Sequence, residues 1–199
     1  MGIILLAAGS SSRMGKPKQL LLHNDNTLLA HAAQVAIDTG IKPVIAVLGA
    51  NAGVLEKEIA DKDVAVVIND AWSEGMASSI RCGLEKLLEI LPEVAVAIIL
   101  VCDQPFITGK LLKALAAKYQ KTGKPIIASN YDGVMGTPAL FDKTIFPALL
   151  SLTGDTGARK IMKENPGQLE IINFPLGNID IDTDADYDNL LKSQAGNHE

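Results

Sequence analysis

The chain has 199 residues, 48% of them hydrophobic and only 4% aromatic, with a formal net charge of -5. One domain of that size can bury roughly 70% of its unfolded surface, and the acidic balance disfavours a nucleic-acid binder, which needs a basic face and often stacking aromatics. The longest apolar run, residues 94–102, is about half the length of a bilayer span, and no basic segment precedes the strand-like start. These features predict a soluble cytoplasmic protein, with one domain over residues 1–192 and a disordered tail at 193–199. Cys82 and Cys102 lack metal-ligand spacing and read as free thiols in a reducing compartment.

The first apolar run, residues 3–8, predicts a strand that opens into a loop of small residues also carrying Arg13, Lys16 and Lys18. Glycine and serine leave backbone N–H groups uncovered, and such groups with a few fixed cations recognise a polyphosphate. Ala7, Ala8, Gly9, Ser10, Ser11 and Ser12 are therefore candidate nucleotide-binding residues. Arg13 adds a planar fork for two phosphate oxygens, and lysine adds a mobile point charge. A Walker loop is excluded: five residues separate Gly9 from Gly15, and Lys16 is followed by Pro17, which lacks an N–H. The dinucleotide fingerprint is absent too, because no glycine stands two residues after Gly9.

Further along, residues 27–39 repeat apolar positions at helical spacing and end at Gly40, and residues 43–48 and 64–68 read as strands. Residues 74–91 form a second helix pattern stopped by Pro92, and residues 94–101 a strand ending in Cys102-Asp103-Gln104-Pro105. Thr108 is placed to cap a helix running to about Tyr119. Residues 125–128 and 169–173 are strands, with a short one at 178–181. Residues 129–141 break the alternation: Asp132-Gly133 is a turn signal and Gly136-Thr137-Pro138 a break, so a hairpin or antiparallel excursion is expected there. The order predicts an α/β fold with a mostly parallel sheet.

Ligands in such sheets bind outside the carboxyl ends of the strands. Asp103 should stand at the same edge as the Gly9 loop, where a carboxylate can hold Mg²⁺, a cation that takes one or two protein carboxylates plus substrate phosphates. The competing role for Asp103 is a turn cap. Asp180 and Asp182 would share one face of a short strand and could share a cation, although Asp182 or Thr183 could instead cap the last helix. Gly75, Ser78 and Ser79 open the second helix with small residues suited to a base and ribose, or simply make a well-formed helix start. Asp155, Gly157 and Arg159 place small residues and a cation beside another helix start, fit for an anion.

His23, His31 and His198 lack metal spacing and read as surface or cap residues. No serine elbow or Cys–His pairing is present. A phosphate acceptor needs no histidine base, because its second pKa near 6 makes it largely a dianion at pH 7. Its attack on a nucleotide α-phosphate depends on positioning and charge stabilisation.

Leu6-Ala7-Ala8-Gly9, Ser11, Arg13-Met14-Gly15, Lys18 and Leu20-Leu21 resemble the opening motif of the MobA-like nucleotidyltransferases. Glu74-Gly75-Met76-Ala77-Ser78-Ser79, Cys102-Asp103-Gln104-Pro105, Gly154-Asp155-Thr156-Gly157-Ala158-Arg159 and Asp180-Ile181-Asp182-Thr183 are similar to its molybdenum cofactor cytidylyltransferase branch. The resemblance implies a Rossmann-like three-layer α/β/α fold, Mg²⁺, and transfer of CMP from CTP to the phosphate of a molybdopterin acceptor, with release of diphosphate. It implies that Arg13 and Lys18 hold the triphosphate, Asp103 the metal, and Ser78-Ser79 the nucleoside; Asp182 is a candidate second metal ligand from its place beside Asp180. Gln104, Gly136, Thr137, Asp155, Gly157 and Arg159 fall on the acceptor side, and a recipient molybdoenzyme is the implied partner. The chain departs from the pattern at Gly136-Thr137-Pro138, where relatives often carry His before the proline, and at Asp184-Ala185-Asp186, where Pro-Glu-Asp is usual. Two other functions share these features: a nucleotidyltransferase for a sugar or polyol phosphate, and a non-catalytic cofactor carrier.

Overall fold

The computed structural model describes residues 1–12 and 14–195, the last three as backbone alone. Arg13, His198 and the end of the expected tail lie outside the described residues. In chain order the elements are β1 (Gly2–Ala7), a small hairpin of β2 (Leu22–His23) and β3 (Asn26–Thr27), α1 (Leu28–Ile37), β4 (Val44–Leu48), α2 (Ala52–Leu55) and β5 (Ala65–Ile68). They continue with α3 (Met76–Ile90), β6 (Val96–Val101), α4 (Gly109–Thr122), β7 (Ile126–Tyr131), β8 (Val134–Asp142), α5 (Phe146–Leu150), α6 (Arg159–Glu164), β9 (Leu169–Asn173) and α7 (Asp184–Ala195).

The main sheet has seven strands in the order β5-β4-β1-β6-β8-β7-β9. Strands β5, β4, β1 and β6 are parallel. All six residues of β1 are buried, as expected of a strand covered on both faces. Alternation along it explains the layers: Ile3, Leu5 and Ala7 pack against α1, α2 and α4, while Ile4, Leu6 and Ala8 pack against α3, α5 and α6. Ile80, Leu84 and Leu87 of α3 are each at most 1% exposed, and burying such side chains stabilises by about 1.5–3 kcal/mol apiece. The fold is the expected three-layer α/β/α arrangement, and Thr27 and Thr108 cap α1 and α4 by accepting from Ala30 and Leu111 N–H groups.

The expected excursion is the β7–β8 hairpin, joined by Asp132 and Gly133 at positive φ and paired antiparallel. Strand β8 also runs antiparallel to β6, so the hairpin is woven into the sheet. The register jumps from Ala128–Ala139 to Ser129–Gly136, and Thr137 and Pro138 therefore bulge out of β8. Proline fits there because it has no ladder N–H to lose.

Two expectations fail. Residues 178–181 form no strand: a 3-10 turn covers Pro175–Asn178, and Ile181 N–H donates to Asp103 O at 3.1 Å. The apolar alternation there serves one anchor, Ile181, which is fully buried with Met14, Leu21, Leu28 and Leu190. Nor is His23 a surface residue, and His31 is half-buried. His23 is 4% exposed, its ring stands edge-on to His31 at 5.2 Å, and Phe106 packs at 5.9 Å. Among the described residues no helix is long and apolar enough to cross a membrane. Cys82 and Cys102 are free, with Cys102 buried.

Candidate active site

Strands β1 and β6 are neighbours in parallel register, so the loops that follow them emerge side by side at the carboxyl edge. Two adjoining clefts open there, of about 360 Å³ and about 440 Å³. Ala7, Ala8, Gly9, Ser10, Trp72, Gly75 and Ser79 line the first. Gln104, Tyr131, Gly136, Thr137, Gly157, Arg159, Asp180 and Asp182 line the second. Lys18, Met76, Val101, Asp103 and Asp155 belong to both walls.

At this junction Lys18 Nζ donates to Asp103 Oδ2 at 2.5 Å and to Asp182 Oδ1 at 2.6 Å. Three segments far apart in sequence thus meet at one ammonium. Burial by itself disfavours the charged lysine, but Asp103 and then Asp182 outweigh it and raise its pKa well above the ordinary value. The lysine is a fixed cation at any physiological pH. The Asp180 carboxyl, open to the second cleft, is pushed up to about 6, first by desolvation and then by the charge of Asp103. Cys102 beneath is pushed up to about 12 by burial and by Asp103, which keeps it an inert thiol.

The other oxygen of Asp103, Oδ1, is buried and has no hydrogen-bond partner among the described residues. A carboxylate oxygen in that state fits a divalent cation. Among the described residues no group of three or more His, Cys, Asp or Glu converges as a metal cluster. That donor set suits Mg²⁺ or Mn²⁺ completed by substrate oxygens, rather than a cation caged by protein alone.

Gly75 ties the two sides of the site together. It stands at φ +106, and a Cβ there would meet Asp155 Oδ1 at 2.4 Å and its N at 2.7 Å. The 154–155 turn can therefore close against it, and Ala77 N–H donates to Gly154 O at 3.1 Å. On the far wall Arg159 donates to Met135 O at 3.0 Å and to Tyr131 OH at 3.3 Å, which fixes the guanidinium beside Gly136 and Thr137.

All six residues expected on the acceptor side line the second cleft, and Asp103 and Asp182, expected to share a metal ion, meet at the Lys18 ammonium. Three serines do not reach the first cleft. Ser78 is 4% exposed, donates to Gly75 O at 2.8 Å and accepts from Asn69 Nδ2 at 2.8 Å, so it closes the helix start from behind. Ser11 turns inward toward Gln19, and Ser12 is exposed on the loop. Arg13 lies outside the described residues. Sequence reasoning missed Trp72, Met76, Tyr131 and Gln19; the lone tryptophan two residues before the Glu74-Gly75 motif was the one available signal.

The family described as the MobA-like NTP transferase domain matches residues 3–169. Nicotine blue oxidoreductase of Paenarthrobacter nicotinovorans is 31% identical over 182 residues, covering 85% of both chains. Purine catabolism protein PucB of Bacillus subtilis is 28% identical, covering 96% of both. Among solved structures, Rv0371c from Mycobacterium tuberculosis superposes with a TM-score of 0.80 at 28% identity, covering 96% of this chain and 97% of its own. A structure of Rv0371c with manganese superposes with a TM-score of 0.76, covering 96% of this chain and 98% of its own at 27% identity.

Proposed function

The chain belongs to the MobA-like NTP transferase family and is a nucleotidyltransferase, and on that premise we propose that it moves CMP from CTP onto the phosphate of a molybdopterin-type acceptor. The observation that carries this reading is the junction: Lys18 and Asp103 form a shared wall between a cleft entered by the glycine-serine loop and a second cleft entered by Arg159. Such a junction is where an α-phosphorus and an attacking phosphate oxygen would meet.

In the proposed reaction an acceptor phosphate oxygen attacks the α-phosphorus of CTP. The new O–P bond forms as the bond from the α-phosphorus to the bridging oxygen breaks, and diphosphate leaves with the electron pair. No proton need be removed, because the acceptor phosphate is largely a dianion at pH 7. Lys18 places positive charge where negative charge builds, and the loop orients the triphosphate. Asp103, with Asp182, would hold Mg²⁺, which supplies Lewis-acid neutralisation of the phosphate oxygens. Arg159 would orient the acceptor through a charged hydrogen bond. The protein is read as cytoplasmic, where nucleotides and acceptor coexist, with a molybdoenzyme receiving the product.

Ala8 supports CTP over GTP, because the guanylyl branch resembles Leu-Ala-Gly-Gly where this chain has Leu6-Ala7-Ala8-Gly9. Its methyl stands in the crowded corner where a Cβ on Gly49 would meet Ala8 Cβ and Trp72 Cβ, each at 2.8 Å. Diphosphate release upon mixing the protein with CTP, Mg²⁺ and a phosphorylated pterin tests the reading; no release above background with any phosphorylated acceptor would remove it. The name of the Paenarthrobacter relative supports a second reading, reduction of an organic substrate in the same clefts. Consumption of NADH or NADPH without diphosphate release would favour that reading instead.

A further inference from the structure

Gln19 follows Lys18 in the loop and lines the same first cleft, but its partners are the loop itself. It is 1% exposed, and its Nε2 donates to Ala7 O at 3.0 Å and to Gly9 O at 2.8 Å. Its Oε1 accepts from Ser11 Oγ at 3.2 Å, and the same Ser11 oxygen accepts from Lys18 N–H at 3.0 Å. Turning the amide over would set its oxygen against two carbonyls, so the network admits one orientation. Between the two carbonyls held by Gln19, the Ala8 carbonyl accepts from Ala50 N–H at 3.1 Å. Three consecutive peptide planes are thereby fixed.

In a planar trans peptide the C=O and the next N–H point in opposite directions. Holding the Ala7 and Gly9 carbonyls therefore turns the N–H groups of Ala8 and Ser10 away from Gln19. We propose that Gln19 is a positioning residue for the triphosphate, setting the peptide planes of the loop so that the Ala8 and Ser10 N–H groups meet phosphate oxygens. The inference rests on the nucleotidyltransferase reading and adds the residue that makes its phosphate loop rigid. Gln19 itself touches no reacting atom. Without its two donors, the Ala7 and Gly9 carbonyls lose their partners, and the peptides are free to rotate toward water.

The test uses Gln19→Met, which keeps length and bulk but has no donor. CTP and inorganic tripolyphosphate are titrated into wild type and variant, with the fluorescence of the single tryptophan, Trp72, as reporter in the first cleft. Circular dichroism checks the fold, and steady-state kinetics separate the KM for CTP from that for the acceptor. Expected are a loss of roughly tenfold to a hundredfold in affinity for both triphosphate probes and an acceptor KM within about twofold of wild type. A folded Gln19→Met that binds both probes like wild type overturns the role of Gln19 and leaves the functional reading standing. A wild type that binds neither CTP nor tripolyphosphate overturns both. Should Gln19→Met not fold, ¹⁵N-labelled wild type decides: Ala8 and Ser10 amide resonances that shift with tripolyphosphate support the role, and unmoved ones overturn it.

Discussion

Lys18 Nζ lies 2.5 Å from Asp103 Oδ2, across a sequence separation of 85 residues, and the pair stands on the wall between the two clefts. Lys18 is the charge that should count in catalysis. Lys16, two residues earlier, pairs with Asp184 in an exposed contact at 2.9 Å and lies over the Tyr187 ring, and such surface pairs are worth about 0–1 kcal/mol. Lys18→Met should lower kcat by about 10²–10³, the usual size for one charge-stabilising group. Lys16→Met should change it by less than about threefold, in keeping with that weak surface pair. Equal losses in the two variants would refute the assignment.

Asp103→Asn separates a metal ligand from a turn cap. Asparagine and aspartate cap about equally well, and Lys18 keeps Asp182 as a partner, so the melting temperature should stay near wild type. Turnover should nonetheless fall by more than about 10²-fold, because Asp103 would hold a divalent cation that would supply charge neutralisation at the phosphates, and removing its charge would weaken that hold. Binding of Mn²⁺, read by its electron spin resonance signal in the presence of CTP, should weaken in parallel. Near wild-type turnover would leave Asp103 only a structural role.

The strands were legible because Val and Ile runs with no polar alternation mark a sheet covered on both faces, and β9 occupies the residues expected of it. Residues 178–181 misled because alternation records which side chains are buried, not whether a neighbouring strand offers hydrogen bonds. Ser78 and Ser79 are consecutive small residues on one helix and both accept from Asn69 Nδ2; only the helix's rotation decides that Ser79 also lines the cleft while Ser78 turns back to Gly75 O. The burial of His23 depends on residues 105–107, which come from a loop some eighty positions away. Gln19 stood between the motif residues Lys18 and Leu20, yet its two carbonyl partners are set by the fold of the loop and leave no mark in residue type.

The paired histidines make stability fall in acid. Burial lowers the pKa of both, with the neighbouring His31 charge adding to the effect on His23. A histidine whose folded pKa is lowered binds fewer protons in the native than in the unfolded state. Its contribution is therefore fully present above the ordinary imidazole value of 6.5 and is lost as pH falls below it. Thermal melts from pH 8 to pH 5 should show a steeper decline for wild type than for His31→Gln. Parallel curves would contradict the account.

Nucleotide choice should respond to Ala8. Ala8→Gly opens the crowded corner beside Gly49 and Trp72, and one methyl in a pocket is worth about 10–200-fold in discrimination. The ratio of kcat/KM for CTP over GTP should exceed one in wild type and fall by roughly tenfold or more in Ala8→Gly. A wild type that uses GTP as well as CTP would remove the cytidylyl assignment while leaving the transferase chemistry in place.

Transfer of label tests the central claim most directly. CTP carrying ³²P at the α-position is incubated with the protein, Mg²⁺ and the phosphorylated pterin, and the products are separated. The account predicts that the α-label moves onto the acceptor in step with diphosphate release, and that both fall together in Lys18→Met and Asp103→Asn. Label recovered only as free CMP, or an acceptor left unlabelled while diphosphate accumulates, would contradict it.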